Sequence, residues 1–292
     1  MKVVVTQLAG PVRDGESAMP AAQRLLRRFE GQLDSCDIVL LPELVGGEAP
    51  SRLYEGEIGR LARRLGAWVV GGSHLSPDAG GRVNTGVVAG PSGDIAGRFG
   101  KLHPYGGELG RVETSMAGPL ALCIGDVSCL IMICADFWHA DAFPLDVGGL
   151  ELILVPAFSV SQRPTPHMAR ARWRHAAVAR AYDLSAFVAI SDWAHPVRYG
   201  EALSSGVAGL AHPNPMSPAE LFQPLGRRRA VAFSLSLAAI TDLRENRRQR
   251  GFASTRGAER APEVSTSPWT PEVATRTACA GDPAVGIFKP RP

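Results

Sequence analysis

Three residues of different chemistry stand where apolar runs break off into polar sequence. Glu43 closes Asp37-Ile-Val-Leu-Leu-Pro-Glu43, Lys101 follows the run that ends in Phe99-Gly100, and Cys134 follows the apolar stretch Val127–Ile133. A thiolate attacks a carbonyl or nitrile carbon, but a free thiol, with a pKa of about 8.5, needs a base or a nearby positive charge to reach that state. A carboxylate within hydrogen-bond reach can take the thiol proton and hand it to a departing amine. A lysine, together with the backbone N–H of Ala135 just after the cysteine, can hold the developing oxyanion; one such donor is typically worth about 3 kcal/mol.

Singly, each residue has a plainer explanation. A glutamate after a strand is ordinarily a solvated turn residue or a helix cap, and a lysine at a strand end is ordinarily surface. A cysteine in Cys129-Leu-Ile-Met-Ile-Cys134 is, alone, ordinarily a core residue. Two features favour the chemical reading. Cys134 sits where the apolar run stops, whereas Cys129 lies inside it and Cys123 in its hairpin partner. Lys101 is also the only lysine between positions 2 and 289 of a chain that otherwise uses arginine. A compact ammonium with a tunable pKa does what a guanidinium cannot.

The elements that must position these groups alternate between strand and helix up to about residue 250. Val3–Leu8 reads as a first strand, and Leu25, Leu26, Phe29 and Leu33 repeat at helical spacing over Ala18–Leu33. Asp37–Glu43 is a buried strand, Tyr54–Leu65 a helix and Ala67–Leu75 a third strand. Residues 82–104 form two strands around the turn formers of Pro91-Ser-Gly-Asp94. Leu120–Ile124 and Val127–Ile133 form a hairpin about Gly125-Asp126. Glu151–Ala157 is a strand, Pro166–Tyr182 a long helix, and Ala186–Ser191, Ser204–Ala211 and Ala230–Leu237 are later strands. Ile240–Gly251 is a final basic helix. In open α/β sheets ligands gather at the carboxyl ends of the strands, where all three reactive residues fall.

Composition narrows the class. The chain has 292 residues, 45% of them hydrophobic and 20% charged, enough for one large domain and too apolar for a disordered chain. No apolar run approaches the ~18 residues of a membrane span, and the N-terminus lacks the features of a signal peptide, so a soluble, cytoplasmic protein is expected. The formal net charge of +3 is too mild to argue for nucleic acid. Five cysteines (36, 123, 129, 134 and 279) without a C-x-x-C pair suggest reduced thiols, neither a disulfide framework nor a zinc site. Beyond about residue 253, Ser, Thr, Pro, Gly and Ala dominate and periodicity is lost.

The ordered series of blocks resembles the nitrilase superfamily of carbon–nitrogen hydrolases over roughly residues 1 to 252. Leu40-Leu41-Pro42-Glu43 is similar to the family's Pro-Glu block, Val83-Asn84-Thr85 to its Asn-containing strand, and Arg98-Phe99-Gly100-Lys101-Leu102-His103 to its Lys-x-His block. Ile133-Cys134-Ala135-Asp136 is similar to the Cys-x-Asp block, and Gly149–Pro156, Ala169–Tyr182 and Ser205–Pro213 to the elements that follow. The resemblance implies an α/β fold of the αββα sandwich type over residues 1–252. It also implies a triad of Glu43 as base, Lys101 as transition-state stabiliser and Cys134 as nucleophile. The intermediate would be a thioester from an amide or a thioimidate from a nitrile. Substrate contacts would come from Ala135, from a second glutamate (Glu108, with Glu113 as the other candidate) and from Trp138. The family also implies a homodimer or higher homo-oligomer, and residues 253–292 would be an arm wrapping the partner or a disordered tail.

Departures from the family pattern bear on the substrate. Asp136 is followed by Phe137-Trp138-His139 in place of the arginines common among family amidases and carbamoylases, and Ala135-Asp136 does not match the Trp-Glu of true nitrilases. An amide is therefore expected over a nitrile. Phe137 and Trp138 either form an apolar wall or pack under the following helix. Seven histidines show no metal spacing, so no metal or other cofactor is expected, and His103 reads as local support for the lysine block. Arg227-Arg228-Arg229 and the cluster of Arg244, Arg247, Arg248 and Arg250 read as solvated faces or interface salt bridges, not as a nucleic-acid site. Trp173, among arginines, reads as a helix anchor. The expectation is a hydrolase acting on a small amide. Its rivals are an N-carbamoyl hydrolase or nitrilase with the same triad, an acyltransferase to an amine, and an inactive oligomeric binding protein.

Overall fold

Neighbouring residues of the first strand point to opposite faces, and in this chain both faces are covered. Val3 and Val5 pack with Ile38, Leu40 and Phe99 into one core, while Val4 packs with Val39, Leu26, Tyr54 and Ile58 into another. That double burial is what an apolar run without alternation requires. A computed structural model describes residues 1–10, 15–78, 81–143, 149–161, 163, 165–199, 201–252 and 285–287.

The strands in chain order are β1 (Lys2–Leu8), β2 (Ile38–Leu40), β3 (Trp68–Val70), β4 (His74–Asp78), β5 (Gly81–Ala89), β6 (Ile95–Gly100), β7 (Leu120–Ile124), β8 (Val127–Ile131) and β9 (Leu152–Pro156). They continue as β10 (Val160–Ser161), β11 (Phe187–Trp193), β12 (Arg198–Tyr199), β13 (Ala202–Ser204), β14 (Gly209–Ala211), β15 (Phe222–Pro224), β16 (Ala230–Ser234) and β17 (Val285–Ile287). The helices are α1 (Met19–Leu26), α2 (Ser51–Leu65), α3 (His167–Leu184) and α4 (Leu237–Gln249).

One layer runs β16–β1–β2–β3–β5, with β4 and β6 also paired to β5; a second runs β17–β7–β8–β9–β11–β14–β15. The layers meet through a short parallel contact in which Gln7 pairs Asp192 and Leu8 pairs Trp193. Helices α1 and α2 cover the outer face of the first layer. Trp173, Ala177 and Ala181 of α3 and Ile240 of α4 pack with the residues of the second. The result is an αββα sandwich, in which β1, β2 and β3 run parallel to one another, as do β8, β9 and β11.

Local chemistry sets the element ends. Pro20 occupies the first turn of α1, where its missing N–H is not needed. Helix α2 stops at Gly66, whose φ of +62° makes the left-handed cap at no Cβ cost. Four strands end differently from the sequence reading. Ala67–Leu75 breaks into β3 and β4 at Gly71-Gly72, because Gly72 has φ +71° and a side chain there would run into the Pro42 carbonyl. Ser204–Ala211 divides into β13 and β14 about Gly206, at φ +69°. The Val127–Ile133 run leaves the ladder at Ile131, which frees the next residues to turn. Ala230–Leu237 ends as a strand at Ser234, and α4 begins at Leu237 instead of Ile240. In the C-terminal extension, Val285–Ile287 adds antiparallel to β7; residues 253–284 and 288–292 lie outside the described residues.

Candidate active site

Glu43, Lys101 and Cys134 follow β2, β6 and β8 and converge in the interior, at 2%, 3% and 8% exposure. The Lys101 ammonium donates to Glu43 Oε1 at 2.8 Å and to Glu108 Oε2 at 2.5 Å. Asn84 of β5 donates its amide to Glu43 Oε1 at 2.9 Å and to Glu108 Oε1 at 2.7 Å. The second Glu43 oxygen, Oε2, accepts the Phe158 N–H at 2.8 Å. The backbone of Glu43 is fixed as well: its N–H donates to the Ala157 carbonyl at 3.3 Å, and its carbonyl accepts the Trp193 indole N–H at 2.7 Å. A carboxylate so held has little freedom to rotate.

Cys134 opens a short 3₁₀ turn, Cys134–Trp138, with φ +43°. A non-glycine residue in that region is uncommon and carries backbone strain, which is found most often at functional positions. The first hydrogen bond of the turn runs from the Asp136 N–H to the Ile133 carbonyl at 3.0 Å. The Ala135 N–H therefore precedes the ladder and has no acceptor within the turn. Cys134 Sγ lies 3.7 Å from the Phe158 carbonyl oxygen. Residue 158 thus holds Glu43 by its N–H and the thiol by its carbonyl.

Asp136 ties the cysteine turn to the lysine loop. Its buried carboxylate accepts the Leu102 N–H at 3.1 Å, the His103 N–H at 2.9 Å, and lies 2.9 Å from His103 Nδ1. The hydrogen bond to Asp136 raises the His103 pKa, with Asp141 on the other ring nitrogen at 3.3 Å adding to it. His103, His139 and Asp141 bring three potential ligand atoms within 4.8 Å of one another at the outer edge. His103 is already engaged there on both nitrogens.

Burial and charge set the titration of the cluster. Burial pushes the Glu43 carboxyl up, against the pull of Lys101. Burial alone would lower the Lys101 ammonium, but Glu43 and Glu108 outweigh it and hold the amine above its ordinary value. Burial and then the neighbouring Glu43 carboxylate hold the Cys134 thiol well above its usual range, with Lys101 opposing. The resting site therefore favours a neutral thiol beside a carboxylate of raised basicity.

A cavity of about 270 Å³ opens on Cys134 and Ala135, walled by Trp138, Phe158, Trp173 and Arg172 among others. Phe137 and Trp138 divide the roles left open by the sequence. Phe137 is buried and stacks on Trp173 at 5.8 Å, whereas Trp138 is 45% exposed, lies edge-on to Trp173 and faces the cavity. Trp173 anchors α3 and also lines the cavity. Of the two candidate second glutamates, Glu108 reaches Lys101 and Asn84, while Glu113 pairs with the Arg82 backbone at the start of β5. Two contributors had no role assigned from sequence, although Asn84 stood in the Val83-Asn84-Thr85 block. Asn84 has a signal, an amide in an inward-facing strand position; the backbone of Phe158 has none, since any residue supplies an N–H and a carbonyl.

No family model matches the chain. It is 26% identical over 214 residues to the omega-amidase NIT2 of Pongo abelii, a match spanning 70% of this chain and 72% of the relative. Among solved structures, it is similar to a CN-hydrolase superfamily protein from Xanthomonas campestris with an arsenic adduct in its active site (TM-score 0.69, 20% identity, 87% of this chain and 97% of the other). It is also similar to an amidase variant from Nesterenkonia sp. AN1 in which acrylamide has added to the active-site cysteine (TM-score 0.62, 18% identity, 86% and 99%). The fold is thus that of the carbon–nitrogen hydrolases. In sequence, too, the chain is similar to an amidase.

Proposed function

We propose that this protein hydrolyses the C–N bond of a small amide through a thioester on Cys134. The observation that carries the reading is that a buried carboxylate and ammonium, paired at 2.8 Å, sit beside a thiol that lines one cavity, each brought there by a different strand end. Glu43 takes the Sγ proton as the sulfur attacks the carbonyl carbon, and the carbonyl electrons move to oxygen. Lys101 and the Ala135 N–H are suited to hold that oxyanion, since both are fixed before substrate arrives. Collapse of the tetrahedral species breaks the C–N bond, and Glu43 protonates the departing ammonia or amine. Glu43 then takes a proton from water as its oxygen attacks the thioester; the C–S bond breaks, the acid leaves, and Glu43 returns the proton to the Cys134 sulfur.

Two acceptor bonds already occupy Glu43 Oε1, leaving Oε2 with one bond from Phe158 and one free acceptor direction for the transferred proton. Glu108 neutralises and positions Lys101 as a second carboxylate, and the Asn84 amide ties the two carboxylates together. The cavity lies just below the roughly 300–1,000 Å³ range of drug-sized ligand sites, which suits an acyl group of a few carbons against Trp138 and Trp173. The Nesterenkonia structure, in which acrylamide has added to the active-site cysteine, supports the reading of Cys134 as a reactive thiol. A protein soluble in the cytoplasm and assembled as a homo-oligomer accords with this reading; among the described residues no helix is long and apolar enough to cross a membrane.

Intact-protein mass spectrometry after brief mixing with a panel of small amides, ureas and nitriles, with ammonia assayed in parallel, tests the reading. The expected result is an acyl adduct and ammonia release from amides, both absent in Cys134→Ala. Turnover that survives in Cys134→Ala would overturn it.

A further inference from the structure

The two arginine clusters of the sequence part company in the fold. In α4, Arg244 and Arg247 donate to backbone carbonyls around residues 150 and 182–185, and Arg248 pairs with Glu245. Those guanidiniums are used by the protein itself. Arg227 and Arg229, just before β16, make no side-chain hydrogen bond or ion pair with any described residue, and neither does Arg174 of α3.

These three open onto a single cleft of about 740 Å³, distinct from the Cys134 cavity, together with Arg170, His175 and His195. Among the described residues no carboxylate lines it. Like charges gathered around a concavity repel one another and raise the potential inside it, a cost that a bound anion removes. One wall is built and not merely exposed. Arg170 Nε donates to the Ser205 carbonyl at 2.7 Å, and the Ser205–Val207 turn is pinned from beneath. The Val207 N–H donates to the buried Asp192 carboxylate at 2.7 Å, and the Ser205 N–H to the Ser159 carbonyl at 2.9 Å. Gln7 is tied across the floor to the Gly226 carbonyl at 2.9 Å. A fixed wall facing unpaired planar forks is the arrangement that recognises phosphate oxygens two at a time.

We propose that this cleft is a binding site for a small, multiply charged anion of the phosphate class, held by Arg174, Arg227 and Arg229. Its concave shape and volume suit a compact ligand carrying two or more phosphoryl groups, where a nucleic-acid strand would call for an extended basic track.

Isothermal calorimetry on the full chain at constant ionic strength tests this with inorganic phosphate, pyrophosphate and tripolyphosphate as probes. Saturable binding is expected, tighter for pyrophosphate than for phosphate. Arg227→Gln and Arg229→Gln should each weaken it by about tenfold or more, and Arg248→Gln on α4 should leave it unchanged. All three positions are exposed, and circular dichroism verifies that each variant is folded. The proposal is overturned by the absence of saturable binding, or by equal binding in the Arg227 and Arg229 variants. Selective retention of single-stranded DNA or RNA in place of the short probes would also overturn it. So would a stable dimer, in sedimentation, that dissociates on Arg174→Glu, since it would assign this face to a second copy of the chain.

Discussion

Glu43 accepts hydrogen bonds from Lys101, Asn84 and Phe158 before any substrate arrives, so changes here separate chemistry from folding. Glu43→Gln keeps the shape of the side chain and removes its basicity; kcat should fall by about 10²–10⁴, read by ammonia release. Because burial raises the Glu43 carboxyl above its ordinary 4.5, the wild-type enzyme should lose activity on the acid side at a pH above that value. An acid limb of kcat/KM at or below 4.5 would contradict the assignment. At Lys101, the two carboxylates and the 3% exposure leave no room for a guanidinium. Lys101→Arg should therefore cost about 10²–10³ in kcat despite keeping the charge, comparable with losing an oxyanion donor. The residue types at these positions were legible in the sequence, since each breaks an apolar run and Lys101 is so isolated. Asn84 was legible as part of the Val83-Asn84-Thr85 block but not in its role, and the Phe158 backbone not at all, because a strand amide and a peptide group gain their meaning only from what faces them.

Among the elements, the long helices and most strands follow their patterns, and two of the four exceptions fall at glycines. Gly72 combines positive φ with close approach to the Pro42 carbonyl, directly before Glu43. Gly72→Ala should destabilise the fold by more than the ~1 kcal/mol of a strained φ alone, seen as a lower urea midpoint at unchanged slope. Helix α3 presents Trp173 to both the core and the cavity, whereas Trp138 is half exposed on the cavity wall. Trp173→Ala should cost about 3–5 kcal/mol of stability. Trp138→Ala should leave the melting temperature nearly unchanged and raise KM for the amide. A Trp138 variant with wild-type KM would remove that residue from the substrate wall. Pattern alone could not divide Phe137 from Trp138, as both are large, adjacent and aromatic; the turn that Cys134 opens rotates one inward and the other outward.

For the whole molecule, the join between the two layers places Asp192 beneath both the Cys134 cavity and the arginine cleft, through Ser159 and Val207. Burial raises its pKa from 3.8 to about 6 in spite of those hydrogen bonds. The folded state then holds a proton that the unfolded state has released between those two values. Stability should fall as pH rises through that window, by about 3 kcal/mol from this group, and the loss should persist at neutral pH. Urea unfolding at pH 4 and pH 7 measures it: Asp192→Asn should flatten the difference, and an undiminished fall in the variant would rule out Asp192 as its source.

What the sequence determined by itself is the layered α/β class, the strand ends at which chemistry occurs and the three side chains able to perform it. Those follow from local physics: an apolar run without alternation must be buried on both faces, and a polar residue at its end must meet solvent, a partner or a ligand. Only the tertiary structure decided which distant groups share a volume. Glu43, Asn84, Lys101, Glu108 and Cys134 become one charge cluster through the pairing of strands far apart in the chain, and Phe158 joins it by its backbone. The arginines at 174, 227 and 229 become one cleft in the same way, while those at 244 and 247 are spent on carbonyls of the fold. Whether a charge is satisfied depends on its neighbours within a few ångströms, and sequence spacing does not carry that distance.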